Sequence, residues 1–380
     1  MLSDLAFALA KEGRKVTVIT SRQRYGTSDA RLPCSETIEG VTIVRVATPN
    51  FGRTSLVGRL LDYLGFYLSA TWALWCRADS QTVVVAKTDP PLISIPAALV
   101  CKSRGARLVN WLQDLFPEVA TALGIPVARG PLGSILKRLR NWSLKRATCN
   151  VVIGQRMRDR LLQQGIPVPR IEVIHNWADG SAIRPTEPGN NPLRREWGLE
   201  EKFVVGYSGN LGRAHEFDTI IGAAKALREQ DDIVFLFIGG GAQAEMVKQT
   251  AREHSLPNIL FQPYQPRERL HMSLGVADVH LVVLRPELEG LIVPSKYYGI
   301  AAAGRSTLFI GSADGEIAHI LRNAGCGHTI EPGDSTGLSE TILKMRDSAI
   351  LQNAGANARR QFDAQYDFPV ALAKWEKVLA

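Results

Sequence analysis

The feature of this chain that most constrains its fold is a repeated alternation between short apolar segments and segments with helical periodicity. In the first half, apolar runs occur at residues 15–20, 82–86, 107–112, 150–153 and 171–174. Strands that are apolar on both faces are typical of parallel sheets covered by helices on either side. The first half is therefore predicted to form a doubly wound α/β domain.

The same alternation begins again at residue 203, after a change in composition. Residues 177–199 are rich in Pro, Gly and Asn, which is typical of a linker. We predict two Rossmann-like domains with the functional site in the cleft between them. The predicted units are an N-terminal domain at 1–180, a linker at 181–202, a C-terminal domain at 203–365, and a C-terminal helix at 366–380 that crosses back to the N-terminal domain.

The beginning of the chain does not match a complete doubly wound sheet. The first strand of such a sheet lies in its middle, yet residues 1–13 read as a helix with no apolar strand before them. Omitting a central strand leaves the backbone groups of its neighbours unpaired. We therefore expect that a first strand and its following loop are missing before this helix, and that the loop would help to line the cleft.

A glycine-rich loop follows the apolar strand that starts at residue 203. The motif Gly-Tyr-Ser-Gly-Asn-Leu-Gly spans 206–212 and leads into a helix predicted at 219–229. Glycines let the backbone approach a ligand closely, and free N–H groups at a helix N-terminus favour phosphate. Arg213 and His215 follow the loop and can face a diphosphate. An ordinary tight turn between strand and helix is the alternative interpretation.

A second segment pairs an acid with a lysine at a predicted junction between loop and helix. Glu289 is followed by Pro294, Ser295 and Lys296. The lysine can compensate the charge of a diphosphate, and the acid can accept hydrogen bonds from sugar hydroxyls. Together with the glycine loop, this segment indicates a nucleotide-sugar enzyme. The alternative is a surface acid beside the start of a helix.

Other candidates follow strands of the N-terminal domain. Asp114 comes directly after the strand predicted at 107–112, at the carboxyl edge of the sheet and thus facing the cleft. Glu118 lies one turn further on, and residues 87–91 end another strand. A helix cap at Asp114 and a turn set by proline at 87–91 are the alternatives.

Three motifs together carry a family resemblance. They are the 206–212 loop, Asn-Trp-Leu-Gln-Asp-Leu-Phe-Pro-Glu at 110–118, and Val-Pro-Ser-Lys-Tyr-Tyr-Gly-Ile-Ala-Ala-Ala-Gly at 293–304. With them the chain resembles the retaining glycosyltransferases of family 4, which have the GT-B fold. Within that family it resembles bacterial enzymes of O-antigen, capsule and colanic acid assembly, in the fucosamine-transferase-like branch.

The resemblance implies an acceptor-side N-terminal domain and a C-terminal domain that binds the nucleotide-sugar. It places Glu289 at the transferred sugar and Asp114 near the sugar and the acceptor. The family's second acid corresponds to Tyr297 or Gly299 here, and neither is acidic. The ribose contact that this acid makes is therefore in question.

The resemblance also implies the contacts to the nucleotide. Asn210 and His215 occupy the positions of the family's phosphate-binding arginine and lysine, so Arg213 is expected to supply positive charge instead. The turn around Gly240 shapes the floor of the cleft, unless it is simply a tight turn. The predicted nucleotide contacts are Gly209, Asn210, Gly212, Arg213, His215, Gly240, Tyr264, Gln265, Pro294, Ser295 and Lys296.

These features predict transfer of a sugar from a nucleotide diphosphate donor, expected to be UDP-linked, to a lipid-linked or polysaccharide acceptor in bacterial surface glycan synthesis. The reaction is expected to be retaining and to use no metal or cofactor, because no aspartate pair of DxD type follows a strand. A nucleotide-sugar 2-epimerase of the same fold and an inactive nucleotide-binding or scaffold relative are the alternatives. A NAD-dependent dehydrogenase fits less well, since its GxGxxG fingerprint is absent from the N-terminal half.

Cysteine usage and hydropathy bear on where the protein works. The five cysteines are odd in number and form no CxxC pair, which favours a reducing compartment. The first residues have no charged n-region or cleavage site of a signal peptide. Residues 60–76 form the most apolar segment, which is shorter than a bilayer span needs. Core packing and membrane contact both remain open for this segment.

The net charge of +8 is concentrated between residues 129 and 160. Asp159 is the one acidic residue in this segment. The basic residues there are Arg129, Lys137, Arg138, Arg140, Lys145, Arg146, Arg156, Arg158 and Arg160. Such a surface attracts anionic lipid headgroups or nucleic acid, although a solvated helix face is the alternative. No nucleic-acid motif accompanies it. We predict a cytoplasmic protein, peripheral on the inner face of the cell membrane, with an anionic membrane surface as partner and no nucleic acid.

Overall fold

The computed structural model of the protein describes residues 1–23, 32–49, 51, 56–125 and 130–380, with the backbone alone at 56, 57, 59 and 60. Arg129 of the predicted basic cluster lies outside these residues. Two α/β domains built on parallel sheets follow one another along the chain, which confirms the predicted fold class.

The N-terminal domain alternates strands and helices. Its strands are β1 Thr17–Ser21, β2 Ser35–Ile38, β3 Val41–Val46, β4 Val83–Lys87, β5 Arg107–Leu112, β6 Cys149–Val152 and β7 Ile171–Val173. Its helices are α1 Leu2–Lys11, α2 Leu56–Trp75, α3 Ser94–Arg104, α4 Glu118–Ala122, α5 Gly130–Arg146 and α6 Gln155–Gln163.

The strands of the N-terminal domain are divided between two sheets. The first has the order β1-β3-β2 and contains an antiparallel hairpin of β2 and β3, which the sequence analysis did not anticipate. The second is parallel throughout, with the order β4-β5-β6-β7. Among the described residues no strand pairing joins β1 to β4. The expectation of a missing first strand stays a prediction.

The C-terminal domain contains one six-stranded parallel sheet. Its strands are β8 Phe203–Asn210, β9 Ile233–Gly240, β10 Ile259–Gln262, β11 Val279–Val283, β12 Ser306–Ile310 and β13 Gly327–Ile330. The helices from the linker onward are α7 Pro192–Glu196, α8 Asp218–Ala226, α9 Ala244–Glu253, α10 Leu270–Gly275, α11 Lys296–Ala302, α12 Glu316–Ala324, α13 Ser335–Met345, α14 Ser348–Gln365 and α15 Phe368–Leu379.

The order of the strands in this sheet marks a place for a ligand. The order is β10-β9-β8-β11-β12-β13, so the chain progresses in opposite directions on the two sides of β8. Ligands of open parallel sheets bind at the carboxyl ends of the strands where the order reverses. The loops that follow β8 and β11 therefore face the expected site.

The end of the chain packs against the N-terminal domain. Trp375 of α15 is fully buried, and its ring centroid lies 4.9 Å from that of Trp111 in β5. Leu5 and Val109 belong to the same buried cluster. The predicted linker contains α7, whose Leu193 packs in the core of the C-terminal domain. The two domains are thus joined by α15 as well as by the linker.

The basic residues between 137 and 160 do not form one unpaired surface, contrary to our prediction. Arg140 is buried, and its guanidinium lies 2.6 Å from a carboxylate oxygen of Glu118. Lys137 approaches the same oxygen at 3.5 Å. Glu118 is therefore an ion-pair partner within the domain and not the cleft acid that we expected. The exposed cations that remain on α5 are Arg138, Lys145 and Arg146.

The apolar segment at 60–76 lies within α2, which is 20 residues long. Part of it packs on β1 and β3, and Ala70 and Ala73 are buried there. Other side chains of the helix, Leu68 and Trp72 among them, are exposed. In the part of the chain that the structure describes, no helix is long and apolar enough to cross a membrane.

Candidate functional site

The glycine loop lies at the carboxyl edge of β8. Gly209 has a φ of +121°, a conformation that favours glycine. The loop after β9 packs edge to edge with it, because side chains at Gly239 or Gly241 would collide with residues 209–211. A Cβ atom on Gly209 would lie 3.9 Å from Nζ of Lys296. The loop and the lysine therefore face each other without an intervening side chain.

Lys296 begins α11 and carries its ammonium group into the protein. Nζ is buried, has no hydrogen-bond partner among the described residues, and lies 3.6 Å from the ring centroid of Tyr207. Burial lowers the pKa of Lys296 to about 7. A buried ammonium without a counter-ion is costly, so this position favours the arrival of an anion.

His215 supports the glycine loop. Its Nδ1 accepts a hydrogen bond from the N–H of Gly212 at 3.3 Å and lies 2.8 Å from the hydroxyl of Tyr207. Burial, and then the charge of Lys296, lower the pKa of His215 to about 3. The ring is neutral near pH 7. His215 therefore does not supply the positive charge of the phosphate-binding lysine whose place it takes.

Some residues in and around the loop fix its conformation, and Arg213 is available to contact a ligand. The amide of Gln243 donates to the carbonyls of Gly212 at 2.6 Å and His215 at 3.1 Å, which fixes the turn. The carbonyl of Asn210 accepts from the hydroxyl of Tyr207 at 2.8 Å. Arg213 is exposed beside the loop, and its guanidinium has no partner in the part of the chain described here. Arg213 is thus free to approach a phosphate.

Glu289 lies on the loop that follows β11, half-buried and not on the open surface. Its Oε1 accepts a hydrogen bond from the backbone N–H of Glu316 at 2.8 Å, at the first turn of α12. A carboxylate is favoured at a helix N-terminus. Burial nevertheless raises the pKa of Glu289. Glu289 therefore has a structural partner as well as a position at the cleft.

Asp114 meets the Glu289 loop from the N-terminal domain. Its backbone pairs with Ile292 in an antiparallel bridge, and Ile292 pairs in turn with Glu289. The N–H of Leu115 also donates to the carbonyl of Leu291 at 3.0 Å. The structure therefore brings the two predicted catalytic residues to the same place, one from each domain.

The carboxyl group of Asp114 is poorly satisfied. Its Oδ1 is buried without a hydrogen-bond partner in the described residues. Burial raises the pKa of Asp114 to about 6, although a hydrogen bond from Thr88 acts in the opposite direction. The interpretation of Asp114 as a helix cap is wrong, because Pro117 precedes the first residue of α4. A perturbed, unpartnered carboxyl in a cleft is typical of a functional site.

The remaining predicted contacts lie around this centre. Tyr264 is 59% exposed, and its hydroxyl donates to the carbonyl of Gly240 at 3.0 Å. The amide of Gln265 donates to Pro263 of its own loop at 3.1 Å. Tyr264 therefore belongs to the wall formed by the glycine turns, whereas Gln265 is turned toward its own loop. Pro294 is buried and Ser295 is exposed at the start of α11.

Three further residues belong to the site; the sequence analysis did not single out Tyr207 or Glu316, and it named Thr88 only within the candidate segment 87–91. Tyr207 lies under the ammonium of Lys296, and Thr88 bonds to Asp114. Glu316 accepts the backbone N–H of Arg156, from the N-terminal domain, at 2.9 Å. Glu316 follows β12 just as Glu289 follows β11, so a search for acids after every strand end would have found it.

The arrangement joins a buried cation and a glycine loop to two carboxyl groups. Lys296 and the N–H groups of the loop can hold a diphosphate, which carries charge and accepts hydrogen bonds. Asp114 and Glu289 can accept hydrogen bonds from hydroxyl groups of a sugar. No three His, Cys, Asp or Glu side chains converge as a metal site requires, within the residues that the structure describes.

Two family models match the chain. A model described as "Glycosyl transferase 4-like domain" matches residues 1–177, and one described as "Glycosyl transferases group 1" matches residues 190–361. Together they account for both domains and leave out the segment between them. The glycine loop, Glu289 and Lys296 fall within the second match, and Asp114 falls within the first.

Similar proteins and a similar structure agree with these matches. The chain is 28% identical to "Probable glycosyltransferase WbjE" of Pseudomonas aeruginosa, over 86% of this chain and 81% of that protein. It is 24% identical to "Putative colanic acid biosynthesis glycosyl transferase WcaI" of Escherichia coli K12, over 94% and 90%. The crystal structure of Anabaena HepE in complex with UDP and glucose has a TM-score of 0.73 at 15% identity, covering all of this chain and 94% of that chain.

Proposed function

Because this chain belongs to the family 4 glycosyltransferases with the GT-B fold, we propose that it transfers a sugar from a UDP-linked donor with retention of configuration. The acceptor is a lipid-linked glycan or a polysaccharide of the bacterial surface, and the enzyme works at the inner face of the membrane. The name of the colanic acid relative and the UDP in the HepE complex support this choice.

The observation that carries the proposal is the ammonium group of Lys296. It is buried, its Nζ has no hydrogen-bond partner in the described residues, and it faces the glycine loop at Gly209. A diphosphate satisfies both at once, since it brings negative charge to the lysine and oxygen atoms to the loop. Exposed Arg213 adds a second cation at the outer end of this site.

In the proposed reaction, negative charge develops on the leaving diphosphate, beside Lys296. The bond between the anomeric carbon and the phosphate oxygen of the donor breaks, and its electron pair leaves with the diphosphate. The acceptor oxygen bonds to the anomeric carbon on the same face, and its proton leaves on the diphosphate. Positive charge that is already in place stabilises this departure without reorganisation. Lys296 and Arg213 therefore act on the leaving group.

The two carboxyl groups act on the sugar and not on the nucleotide. Glu289 lies on the loop after β11 and accepts hydrogen bonds from hydroxyls of the transferred sugar. Asp114 approaches from the acceptor-side domain, where its unpartnered Oδ1 receives a hydroxyl of the sugar or the acceptor. Holding both reactants in one orientation is a large part of such catalysis.

The first test is a thermal-shift panel with UDP, GDP, ADP, CMP and NAD. A ligand at 100 times its dissociation constant stabilises the folded state by about 2.7 kcal/mol, which gives a measurable shift in Tm. We expect stabilisation by UDP. Stabilisation by GDP alone would still support a nucleotide-sugar enzyme, but the donor would then be GDP-linked and not UDP-linked. A panel without any shift would contradict a formed nucleotide site in this chain.

A further inference from the structure

Three helices of the N-terminal domain lie side by side in the order α2, α3, α5, and they expose apolar side chains. On α2, Leu68 is 67% exposed and Trp72 is 70% exposed. Residues three or four positions apart lie on one face of a helix, and Leu64, Leu68, Trp72 and Trp75 follow that spacing. An apolar stripe of this length on open surface is unusual for a domain that functions alone in water.

The stripe borders a groove between α2 and α3, here called the α2–α3 groove. It has a volume of about 640 Å³, and Leu68, Trp72, Trp75, Leu92 and Ile95 contribute to its lining. Leu92 has a φ of +64°, which is disfavoured for a side chain of this kind. The protein thus keeps a leucine in the groove at a cost in backbone energy.

A second groove lies on the other side of α3, between α3 and the end of α5, and is called the α3–α5 groove. It has a volume of about 420 Å³ and is lined by Lys102, Arg107, Lys145, Arg146 and Arg170. None of these five cations forms an ion pair with another described residue. Arg107 donates to oxygen atoms of Leu379 and Ala380 at the end of the chain, and Arg170 donates to the carbonyl of Lys145. The side chains of Lys102, Lys145 and Arg146 face no carboxylate of the described residues, so their charge is uncompensated.

We propose that this face docks on an anionic lipid bilayer. Leu68 and Trp72 enter the boundary between headgroups and acyl chains, the α2–α3 groove is covered by acyl chains, and lipid phosphates occupy the α3–α5 groove. Apolar side chains beside uncompensated cations are the combination that interfacial helices use on anionic membranes. The inference rests on the proposed function only in that the acceptor is lipid-linked.

Charge complementarity decides between a bilayer and a second copy of the chain. In a two-fold dimer the same patch meets itself, so the cations of the α3–α5 groove would face their own copies. An anionic bilayer satisfies those cations and the apolar stripe together. Tryptophan side chains such as Trp72 and Trp75 are also favoured at the boundary between membrane and water.

Docking on this face places the cleft near the lipid headgroups. The hydroxyl of Tyr67, at one end of the α2–α3 groove, donates to the carbonyl of Pro91. Pro91 belongs to the loop that also contains Thr88, which bonds to Asp114. The groove therefore reaches the loop that carries the acceptor side of the site. A lipid-linked acceptor in the same bilayer would present its hydroxyl close to Asp114.

The test is flotation of the full chain with vesicles of phosphatidylcholine, with and without an equal share of phosphatidylglycerol. We expect binding to the anionic vesicles, weak binding to neutral ones, and release at high salt because exposed charges are then screened. Leu68→Ser with Trp72→Ser should lower partitioning at least tenfold. Lys102→Glu with Arg146→Glu should lower it by at least 25-fold, since each cation near such a surface contributes about fivefold.

Matched controls change the same residue types elsewhere. Ile350→Ser removes an exposed apolar side chain from α14, and Lys225→Glu with Lys344→Glu reverses two exposed cations of the C-terminal domain. Both controls should float like the unaltered protein. Thermal shift with UDP is measured on every variant, so that loss of membrane binding is distinguished from loss of the nucleotide site.

Three results would overturn the inference. The first is failure of the unaltered chain to float with anionic vesicles at low salt, and the second is flotation of the altered chains as strong as that of the controls. The third is a dimer in sedimentation that Trp72→Ser dissociates, in which case a second copy covers this face. Each of these leaves the proposed transferase reaction intact if UDP still stabilises the protein.

Discussion

At the scale of single residues, the site is defined by groups that lack partners. Nζ of Lys296 and Oδ1 of Asp114 are both buried without a hydrogen bond among the described residues. Burial moves the pKa of each toward neutrality, downward for the lysine and upward for the acid. Such groups destabilise the empty protein, and a ligand that satisfies them recovers that energy on binding.

The depressed pKa of Lys296 predicts how UDP binding depends on pH. In the free protein the lysine loses its proton as pH rises through about 7. A bound diphosphate raises that pKa again, so binding above pH 7 takes up a proton. The Kd for UDP should therefore rise by up to tenfold per pH unit above 7. Titration calorimetry in buffers of different ionisation enthalpy measures both the Kd and the proton uptake.

Arginine provides the matched control for this experiment. Lys296→Arg keeps a charge at every accessible pH, so the slope above pH 7 should disappear. Lys296→Met should weaken UDP binding at pH 6.5 and also give a flat profile. A slope that persists unchanged in Lys296→Met would assign the titrating group elsewhere, because the second pKa of a phosphate, about 6, lies below this range.

At the scale of elements, the buried strands were predictable because most of their residues are apolar. The strand predicted at 107–112 has those bounds in the structure. Five of its six residues are buried and four of the six are apolar, so the segment is recognisable as a strand covered on both faces. The hairpin of β2 and β3 was not predicted, because its strands are partly exposed and mix polar residues with apolar ones.

The site itself was predictable where chemistry follows a strand end. Asp114, Glu289 and Lys296 all lie at carboxyl edges or at the start of a helix. The structure pairs Asp114 with the Glu289 loop and sets Lys296 opposite the glycine loop. The neutral state of His215 was not predictable, since it depends on burial and on the nearby charge of Lys296. The ion pair of Glu118 with Arg140 joins two helices and leaves no local signal in the sequence.

The contact between Glu289 and α12 leads to a prediction at this scale. Glu289→Ala removes both the sugar contact and the acceptor for the N–H of Glu316, so transfer should fall at least 100-fold and stability by about 1 kcal/mol. Glu289→Gln keeps an acceptor for that N–H. It should lose transfer with little change in stability, and both variants should bind UDP within a few-fold of the unaltered chain.

Glu287 supplies the control, since it is an exposed acid on the same loop. Glu287→Gln should alter neither transfer nor Tm. Initial rates with a UDP-sugar, UDP titration and thermal melts are measured on all three variants. If Glu289→Gln keeps full activity, Glu289 only accepts the backbone N–H at the start of α12, and the proposed contact with the sugar is wrong.

At the scale of the whole molecule, the two domains are joined through α15 as well as through the contact between Asp114 and Ile292. Trp375 of α15 packs against Trp111, and Trp111 stacks on Trp177 with ring centroids 5.7 Å apart. A helix that follows the C-terminal domain along the chain thus completes the core of the N-terminal domain. Stability of the first domain therefore depends on the end of the chain.

This dependence predicts the effect of Trp375→Ala. Removal of a fully buried tryptophan costs about 3–5 kcal/mol, so the free energy of unfolding should fall by that amount. The loss should appear in the N-terminal domain, where hydrogen exchange of β5 amides should accelerate. Ile350→Ala on the exposed side of α14 should leave both quantities unchanged. Loss of protection confined to the C-terminal sheet would contradict the proposed dependence.

The bridge at Ile292 has a consequence for the timing of the reaction. Asp114 and Glu289 belong to different domains and are aligned through the backbone of this one residue. Separation of the two domains would break the hydrogen bond between Leu115 and Leu291 and would move the two acids apart. A donor held by the C-terminal domain alone then meets an incomplete set of groups. For the proposed transfer reaction, such a dependence on domain contact would limit hydrolysis of the donor before the acceptor is in place.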